Sequence, residues 1–233
     1  NNLIVSLPTE IYYLPLKKLL LNNNCLEDLP ELVLPKKTDG GITNHGKNGL
    51  SNIKMLGIVE LNISYNKISA LDFRVGLFEK VKKFYANDNC ISDIHENIGL
   101  LKGCKDLNLS RNKLTGDSVV GIGGCEGVAK LNLSCNMIEF IPDSFSTLRS
   151  LVELNVADNL INFLPEKIFL SFGLLQTLDF HNNEIGMLPM SMYAMRKLSY
   201  LDLSFNCITQ PVPKQVEQFV LLNTLLLSNN CIT

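Results

Sequence analysis

The sequence predicts an α/β solenoid: a right-handed coil with short parallel strands on one face and short helical turns on the other. Three observations carry this prediction. Ten asparagines (Asn2, Asn24, Asn66, Asn89, Asn112, Asn136, Asn159, Asn183, Asn206 and Asn230) recur at intervals of 22 to 24 residues, apart from one interval of 42. The segments leading into nine of them, such as IVELNISYN at 58–66 and LSYLDLSFN at 198–206, share the template LxxLxLxxN. A second register follows the asparagines. Nine residues on come Val33, Val75, Ile98, Phe145, Ile168 and Met192, and about three further come Phe78, Leu101, Leu148, Phe172, Met195 and Phe219.

Each element of the coil has a physical reason. The LxL triplet suits a short strand whose alternate side chains point inward, so Leu61 and Ile63, or Leu201 and Leu203, enter a core. Burying each aliphatic side chain is worth roughly 1.5–3 kcal/mol. No coil closes such a core alone, which makes the stack the cooperative unit and residues 1–233 one domain of nine to ten coils. The asparagine stands where the strand ends, and its amide can donate and accept for backbone groups otherwise orphaned inside the turn. The spacing near three in the return half predicts a helical or 3₁₀ turn with one buried side.

Several units continue from the asparagine as NxLxxLP: NCLEDLP (24–30), NMIEFIP (136–142), NLINFLP (159–165) and NEIGMLP (183–189). With LxxLxLxxN, this pattern resembles the leucine-rich repeat family, and within it the LP-containing 23/24-residue repeats of the intracellular Ras-suppressor-like class. The resemblance implies a horseshoe whose concave sheet binds a protein partner without chemistry of its own, as a scaffold in signalling or complex assembly. The unit LTGDSVVGIGGCEGVAKL (114–131) departs from the pattern by losing its proline. Two other readings stand beside this one. The repeats could be the targeting or regulatory arm of a multidomain kinase, GTPase or phosphatase, or an extracellular receptor ectodomain.

Composition narrows the partner class. The chain is 46% hydrophobic and 19% charged, has a net charge of −2 and lacks tryptophan. Nothing there suits a polyanion, and no apolar run approaches the roughly 20 residues that span a bilayer. The expectation is a protein partner, with no nucleic acid, no membrane insertion, no small-molecule substrate and no cofactor. Of the seven cysteines, Cys25, Cys90, Cys207 and Cys231 share the column directly after the asparagine, Cys104 takes an inward leucine position and Cys125 lies in a convex turn. That placement predicts free, mostly buried thiols in a reducing, cytoplasmic compartment, although Cys207 and Cys231 fall on adjacent coils within disulfide reach. No signal-peptide-like segment opens the sequence.

One segment breaks the rhythm. PKKTDGGITNHGKNGLSN (35–52) lengthens the interval between Asn24 and Asn66 and is rich in glycine, asparagine and lysine. It suits a tolerated surface insertion, a basic contact loop using Lys36, Lys37, His45 and Lys47, or a degenerate repeat. Neither end carries a polar capping coil, so Leu222, Leu225, Leu227 and Ile232 would face water in isolation, and the expectation is a piece of a longer polypeptide.

The candidate binding residues are the non-leucine positions of the strand face. Lys18, Glu60, Lys83, Asp106, Lys130 and Glu153 alternate in sign from coil to coil and can pair across the ladder. The neighbouring column, Asn62, Tyr85, Asn108, Asn132, Asn155, Asp179 and Asp202, turns acidic toward the C-terminal end. Flanking these are Tyr65, Asp88, Arg111, Asp158, His181, Tyr200 and Phe205. Exposed tyrosine, phenylalanine and arginine on a rigid surface are typical contact anchors. Two clusters follow: Tyr65, Tyr85, Asp88 and Arg111, and Asp158, Asp179, His181, Tyr200, Asp202 and Phe205. His45, His95 and His181 are too scattered for an acid/base pair or a metal site, and a cation held by His181, Asp179 and Asp202 would sit in an open, shallow site. Gly121-Ile122-Gly123-Gly124 lacks the lysine of a phosphate loop. No catalytic residue is assigned.

Overall fold

In the computed structural model the described residues are 2–30 and 57–233. The segment 35–52 and Val33 lie outside them. The strands are β1 (Lys18–Leu20), β2 (Glu60–Asn62), β3 (Ala70–Leu71), β4 (Lys83–Tyr85), β5 (Asp93–Ile94), β6 (Asp106–Asn108), β7 (Lys130–Asn132), β8 (Glu153–Asn155), β9 (Thr177–Asp179), β10 (Tyr200–Asp202) and β11 (Thr224–Leu226). All except β3 and β5 form one parallel nine-stranded sheet in chain order; β3 and β5 pair separately on the flank.

The central residue of each triplet forms a single apolar column through this sheet: Leu19, Leu61, Phe84, Leu107, Leu131, Leu154, Leu178, Leu201 and Leu225 stand in direct register. From Leu61 to Leu201 the column is essentially sealed from solvent. The residues on either side of it point to the concave face, the period-2 consequence of a pleated strand.

Every described repeat asparagine from Asn24 to Asn230 is a hydrogen-bonding hub. Asn159 shows the pattern: its Oδ1 accepts from Ile138 N at 3.0 Å, and its Nδ2–H groups donate to Leu133 O (3.0 Å), Val156 O (3.0 Å) and Ala157 O (3.1 Å). One amide thereby satisfies backbone groups of its own coil and the one before it. The residue immediately before each hub is held in the left-handed region, at φ between 52° and 58°, whichever side chain it carries: Asn23, Tyr65, Asp88, Arg111, Cys135, Asp158, Asn182, Phe205 and Asn229. The turn is thus imposed by the ladder, and the local sequence does not select it.

The return halves are short 3₁₀ helices, such as Phe73–Phe78, Glu96–Leu100, Asp143–Thr147 and Met190–Ala194, with one turn of α-helix, α1, at Glu166–Phe169. Pro142, Pro165 and Pro189 of the LP motifs occupy the residue before their helices in extended backbone. A proline is well placed there, because its fixed φ suits the approach and its missing N–H is not needed for a helical bond. Where the proline is lost, the turn lengthens to the eight-residue 3₁₀ segment Asp117–Gly124. A Cβ on Gly124 would come within 2.6 Å of Gly99 Cα, so two return segments meet there backbone to backbone. The convex register is buried as expected, from Val75 and Phe78 to Met195 and Phe219.

The thiols depart from expectation. All seven cysteines are free, but only Cys104 and Cys125 are buried; Cys25 and Cys135 are half-exposed, and Cys90, Cys207 and Cys231 are exposed. In the column after the asparagine, the following residue turns inward: Leu26, Ile91 and Ile208 fill the core beside Cys25, Cys90 and Cys207. The cysteine therefore projects from the flank.

Candidate functional site on the concave face

The alternating charge column pairs in part. Lys18 Nζ lies 2.8 Å from Glu60 Oε2, and Lys130 Nζ lies 2.6 Å from Glu153 Oε1. Between them Lys83 and Asp106 share register, yet Asp106 Oδ2 accepts from the Tyr85 hydroxyl at 2.8 Å. Burial first, and then this carboxylate, push the Tyr85 phenol well above its ordinary pKa, so it stays a neutral donor. A shallow concave groove runs along Tyr85, Asp106, Lys130, Glu153 and Asp179.

In the N-terminal cluster Tyr65 is 53% exposed. Arg111 Nε stands 4.0 Å from Asp88 Oδ1, a loose contact that leaves the guanidinium available. Tyr65, Asp88 and Arg111 all belong to the left-handed column.

The C-terminal cluster is more tightly knit. Asp202, 7% exposed, accepts from Ser204 N (2.8 Å) and Ser204 Oγ (2.5 Å) through Oδ1, and from the Tyr200 hydroxyl (3.3 Å) through Oδ2. His181 Nδ1 lies 2.9 Å from Ser204 Oγ and 4.0 Å from Asp202 Oδ2. The His181 and Phe205 rings meet edge to face with centroids 5.1 Å apart. Asp179 Oδ1 accepts from His181 N at 2.9 Å, and burial, with Asp202 nearby, raises its pKa above the ordinary carboxylate value. Asp158 accepts from Asn182 Nδ2 at 2.8 Å and from the Cys135 thiol at 3.5 Å.

This network orients side chains and does not activate a nucleophile. Ser204 gives its hydroxyl proton to Asp202, whereas in a nucleophilic triad the serine proton passes to histidine. Among the described residues no group of three or more His, Cys, Asp or Glu is placed to hold a metal ion.

The ten candidate residues all lie on or beside the strand face, but the flanking group does not form one column. Tyr200 is a strand residue in register with Thr177 and Thr224, His181 lies two residues before Asn183, and Tyr65, Asp88, Arg111, Asp158 and Phe205 lie one residue before theirs. Sequence reasoning missed Ser204, which links His181 to Asp202, and Cys135, which reaches Asp158. It also missed the left-handed column, whose only sequence signal is its fixed position before the asparagine.

Comparison with known proteins agrees with this architecture. The leucine rich repeat family model matches residues 102–161 and 149–208. Mouse leucine-rich repeat serine/threonine-protein kinase 1 is 28% identical over 231 residues, covering 90% of this chain and 11% of the kinase. Adenylate cyclase of Schizosaccharomyces pombe is 26% identical over 220 residues, covering 88% of this chain and 13% of the cyclase. The chain therefore spans only a small part of the length of these relatives. Among solved structures, a leucine-rich repeat protein of Leptospira interrogans superposes with a TM-score of 0.68 at 25% identity, over 97% of this chain and 58% of that one. The plant peptide hormone receptor RGFR1, solved in complex with RGF2, superposes with a TM-score of 0.77 at 22% identity, over 97% of this chain and 34% of the receptor. No helix among the described residues is long and apolar enough to cross a membrane. With the asparagine ladder and the nine-stranded parallel sheet, these matches show that residues 102–208 are leucine-rich repeats and that the chain has the leucine-rich repeat solenoid fold.

Proposed function

We propose that this chain is a non-catalytic interaction module that binds a protein partner on its concave face, as part of an intracellular signalling or assembly complex. The observation that carries the reading is the left-handed column. Asparagine and aspartate tolerate that backbone, and five of the nine positions hold them, but Tyr65, Arg111 and Phe205 are bulky side chains kept there against a cost of roughly 1–2 kcal/mol each. All three are exposed, so they recover no core burial in return. Strain retained in exposed contact-type residues supports a role in recognition. Tyr85, Asp88, Asp158, Asp179, His181, Tyr200 and Asp202 complete the surface around them.

Affinity capture from cell lysate tests this with two variants, Tyr65→Asn/Arg111→Asn and Phe205→Asn. Asparagine suits the left-handed backbone, so each variant should retain the fold. A partner held by the parent and lost by one variant supports the reading. Equal capture by all three, or none, overturns it.

A second reading has its own observation. The two relatives named above bear the names of a kinase and a cyclase, and the match occupies a small fraction of each. The module would then be the regulatory or targeting arm of a larger enzyme, and the mass of the native polypeptide decides between the two.

A further inference from the structure

We propose that the flank where the chain leaves the asparagine ladder in the C-terminal coils is a second docking surface, built for a basic amphipathic segment of a partner protein. The surface is separate from the concave face and does not depend on the reading above.

Four seven-residue stretches form it: MIEFIPD (137–143), LINFLPE (160–166), EIGMLPM (184–190) and CITQPVP (207–213). In each, the second residue is an isoleucine that turns inward and is buried: Ile138, Ile161, Ile185 and Ile208. Several outward positions are nevertheless apolar as well. Met137, Phe140, Leu160, Phe163, Met187 and Met190 are all exposed, with Phe163 at 64% and Met187 at 66%. Four of them adjoin: Phe140 and Phe163 on neighbouring coils, and Phe163, Met187 and Met190 around one groove. Phe140, Phe163 and Met187 each stand four residues after their asparagine, and Phe140 and Phe163 form a parallel backbone bridge. The Phe140 ring lies over Gly116, where a Cβ would come within 2.6 Å of it. Beside this ridge runs a groove lined by Phe163, Met187, Met190 and Pro211. Its floor includes Gly186, where a Cβ would meet nothing within 4 Å. Single exposed hydrophobics are ordinary, but a ridge across three coils with a groove beside it marks an interaction site.

Charge selects the occupant. The four stretches contain Glu139, Asp143, Glu166 and Glu184 and no lysine, arginine or histidine. Glu166 is fixed at the groove edge, where its carboxylate accepts from Met190 N (3.2 Å) and Ser191 N (3.1 Å). An anionic lipid surface or a nucleic acid would be repelled. A second copy meeting the same patch would oppose carboxylates to carboxylates, since a two-fold contact apposes like surfaces. A segment carrying two or more large apolar side chains among lysines or arginines complements both features.

A random-peptide library displayed against the 233-residue chain tests this. The enriched sequences should combine large apolar residues with lysine or arginine. A synthetic representative should bind the parent about tenfold or more tightly than Phe163→Ser/Met187→Ser, a difference of about 1.4 kcal/mol. It should bind Glu166→Gln/Glu184→Gln more weakly and more salt-tolerantly than the parent, and Phe205→Asn equally well. Circular dichroism confirms that each variant is folded; the substituted side chains are exposed. The proposal is overturned by enrichment of acidic or neutral peptides, by enrichment insensitive to Phe163→Ser/Met187→Ser, or by no enrichment. It is equally overturned if sedimentation velocity shows a dimer that this double substitution dissolves, or if phosphatidylserine vesicles bind the patch. Loss of binding in Phe205→Asn alone would assign the peptide to the concave face.

Discussion

Arg74 Nη2 lies 2.6 Å from Asp28 Oδ2, joining residues 46 positions apart across the longest interval between repeat asparagines. The same guanidinium, 7% exposed with its residue, donates through Nη1 to Leu29 O (2.7 Å) and Pro30 O (2.8 Å) and through Nε to Asp72 (2.8 Å to Oδ2). Burial alone would weaken its charge, but the hydrogen bonds it donates to Asp72 and Asp28 carry its pKa above the ordinary arginine value. Arginine's fork can serve two carbonyls and two carboxylates at once, and lysine cannot. Arg74→Met leaves the Leu29 and Pro30 carbonyls without this partner and should cost about 2–4 kcal/mol, toward the lower end because both carboxylates reach solvent. In a stack of coils the damage should be local. Hydrogen exchange is expected to accelerate in residues 2–30 and to stay near parental in 130–206; uniform acceleration would contradict the local role.

The asparagine ladder predicts a gradient of sensitivity. Asn159→Ala removes the partner of Ile138 N and of three carbonyls in a buried setting, where each unsatisfied group costs about 1–3 kcal/mol, so a loss of roughly 3–5 kcal/mol is expected after partial relaxation. Asn24→Ala acts where the amide is only part-buried and its Nδ2 donates only to Leu21 O and Asn22 O of its own coil, and should cost no more than about 2 kcal/mol. Urea denaturation midpoints of the two variants check the order; equal losses would refute the stacking account.

The ladder, the sheet column and the convex register were all legible in the sequence for one reason: each has a fixed side-chain requirement at a fixed spacing. Leu61, Val75 and Phe78 could be read because only a large apolar side chain serves there, and Asn66 because the turn needs a carboxamide that both donates and accepts. What escaped was set by backbone geometry or by long-range contact. Tyr65, Arg111 and Phe205 carry no preference for the left-handed region, so their φ follows from the ladder. The thiols were misplaced because a cysteine suits a core and a surface equally well. Arg74 with Asp28 and Asp72 was not foreseen at all, since Asp28 lies on a different coil from the other two, at an unrelated repeat position.

The revised thiol geometry gives a direct prediction. Burial pushes the Cys104 thiol up to about 11 and the Cys125 thiol up to about 12. At neutral pH neither forms appreciable thiolate. Brief alkylation of the native chain with iodoacetamide should label Cys25, Cys90, Cys135, Cys207 and Cys231, leaving Cys104 and Cys125 for a second alkylation after denaturation. Peptide mass spectrometry reads the two sets, and early labelling of Cys104 would contradict the packing.

Asp179 supplies a pH-dependent prediction. Its raised pKa comes first from burial, with Asp202 and Asp158 adding repulsion. A carboxyl with a raised folded pKa holds its proton more tightly folded than unfolded, so folding is penalised above that pKa, and the penalty fades as pH falls through it and is gone below the unfolded value. Asn62, Asn108, Asn132 and Asn155 make the equivalent bond to the backbone N–H two residues on without charge. Asp179→Asn should therefore keep the His181 N contact and be more stable than the parent at neutral pH. The gain is of the order of half a kcal/mol, because solvent screens a partly exposed group. The advantage should close on acidification through the carboxylate range, as thermal melts at several pH values would reveal.

The left-handed column separates stability from recognition. Tyr65→Asn relieves a bulky residue at φ 55° and should raise stability by about 0.5–1 kcal/mol, less than the full left-handed cost because the unfolded chain changes too. Phe205→Asn relieves a similar strain at φ 56° but gives up the edge-to-face contact with His181, worth about 0.5–1.5 kcal/mol, so its net change should be near zero. Denaturant midpoints measured beside partner capture test both halves. A Tyr65→Asn chain that melts higher and captures less would mean that the aromatic is kept for contact at the expense of the fold. If it melted higher and captured as well as the parent, Tyr65 would have no place in the recognition surface, and the strain at its backbone would be only a by-product of the ladder.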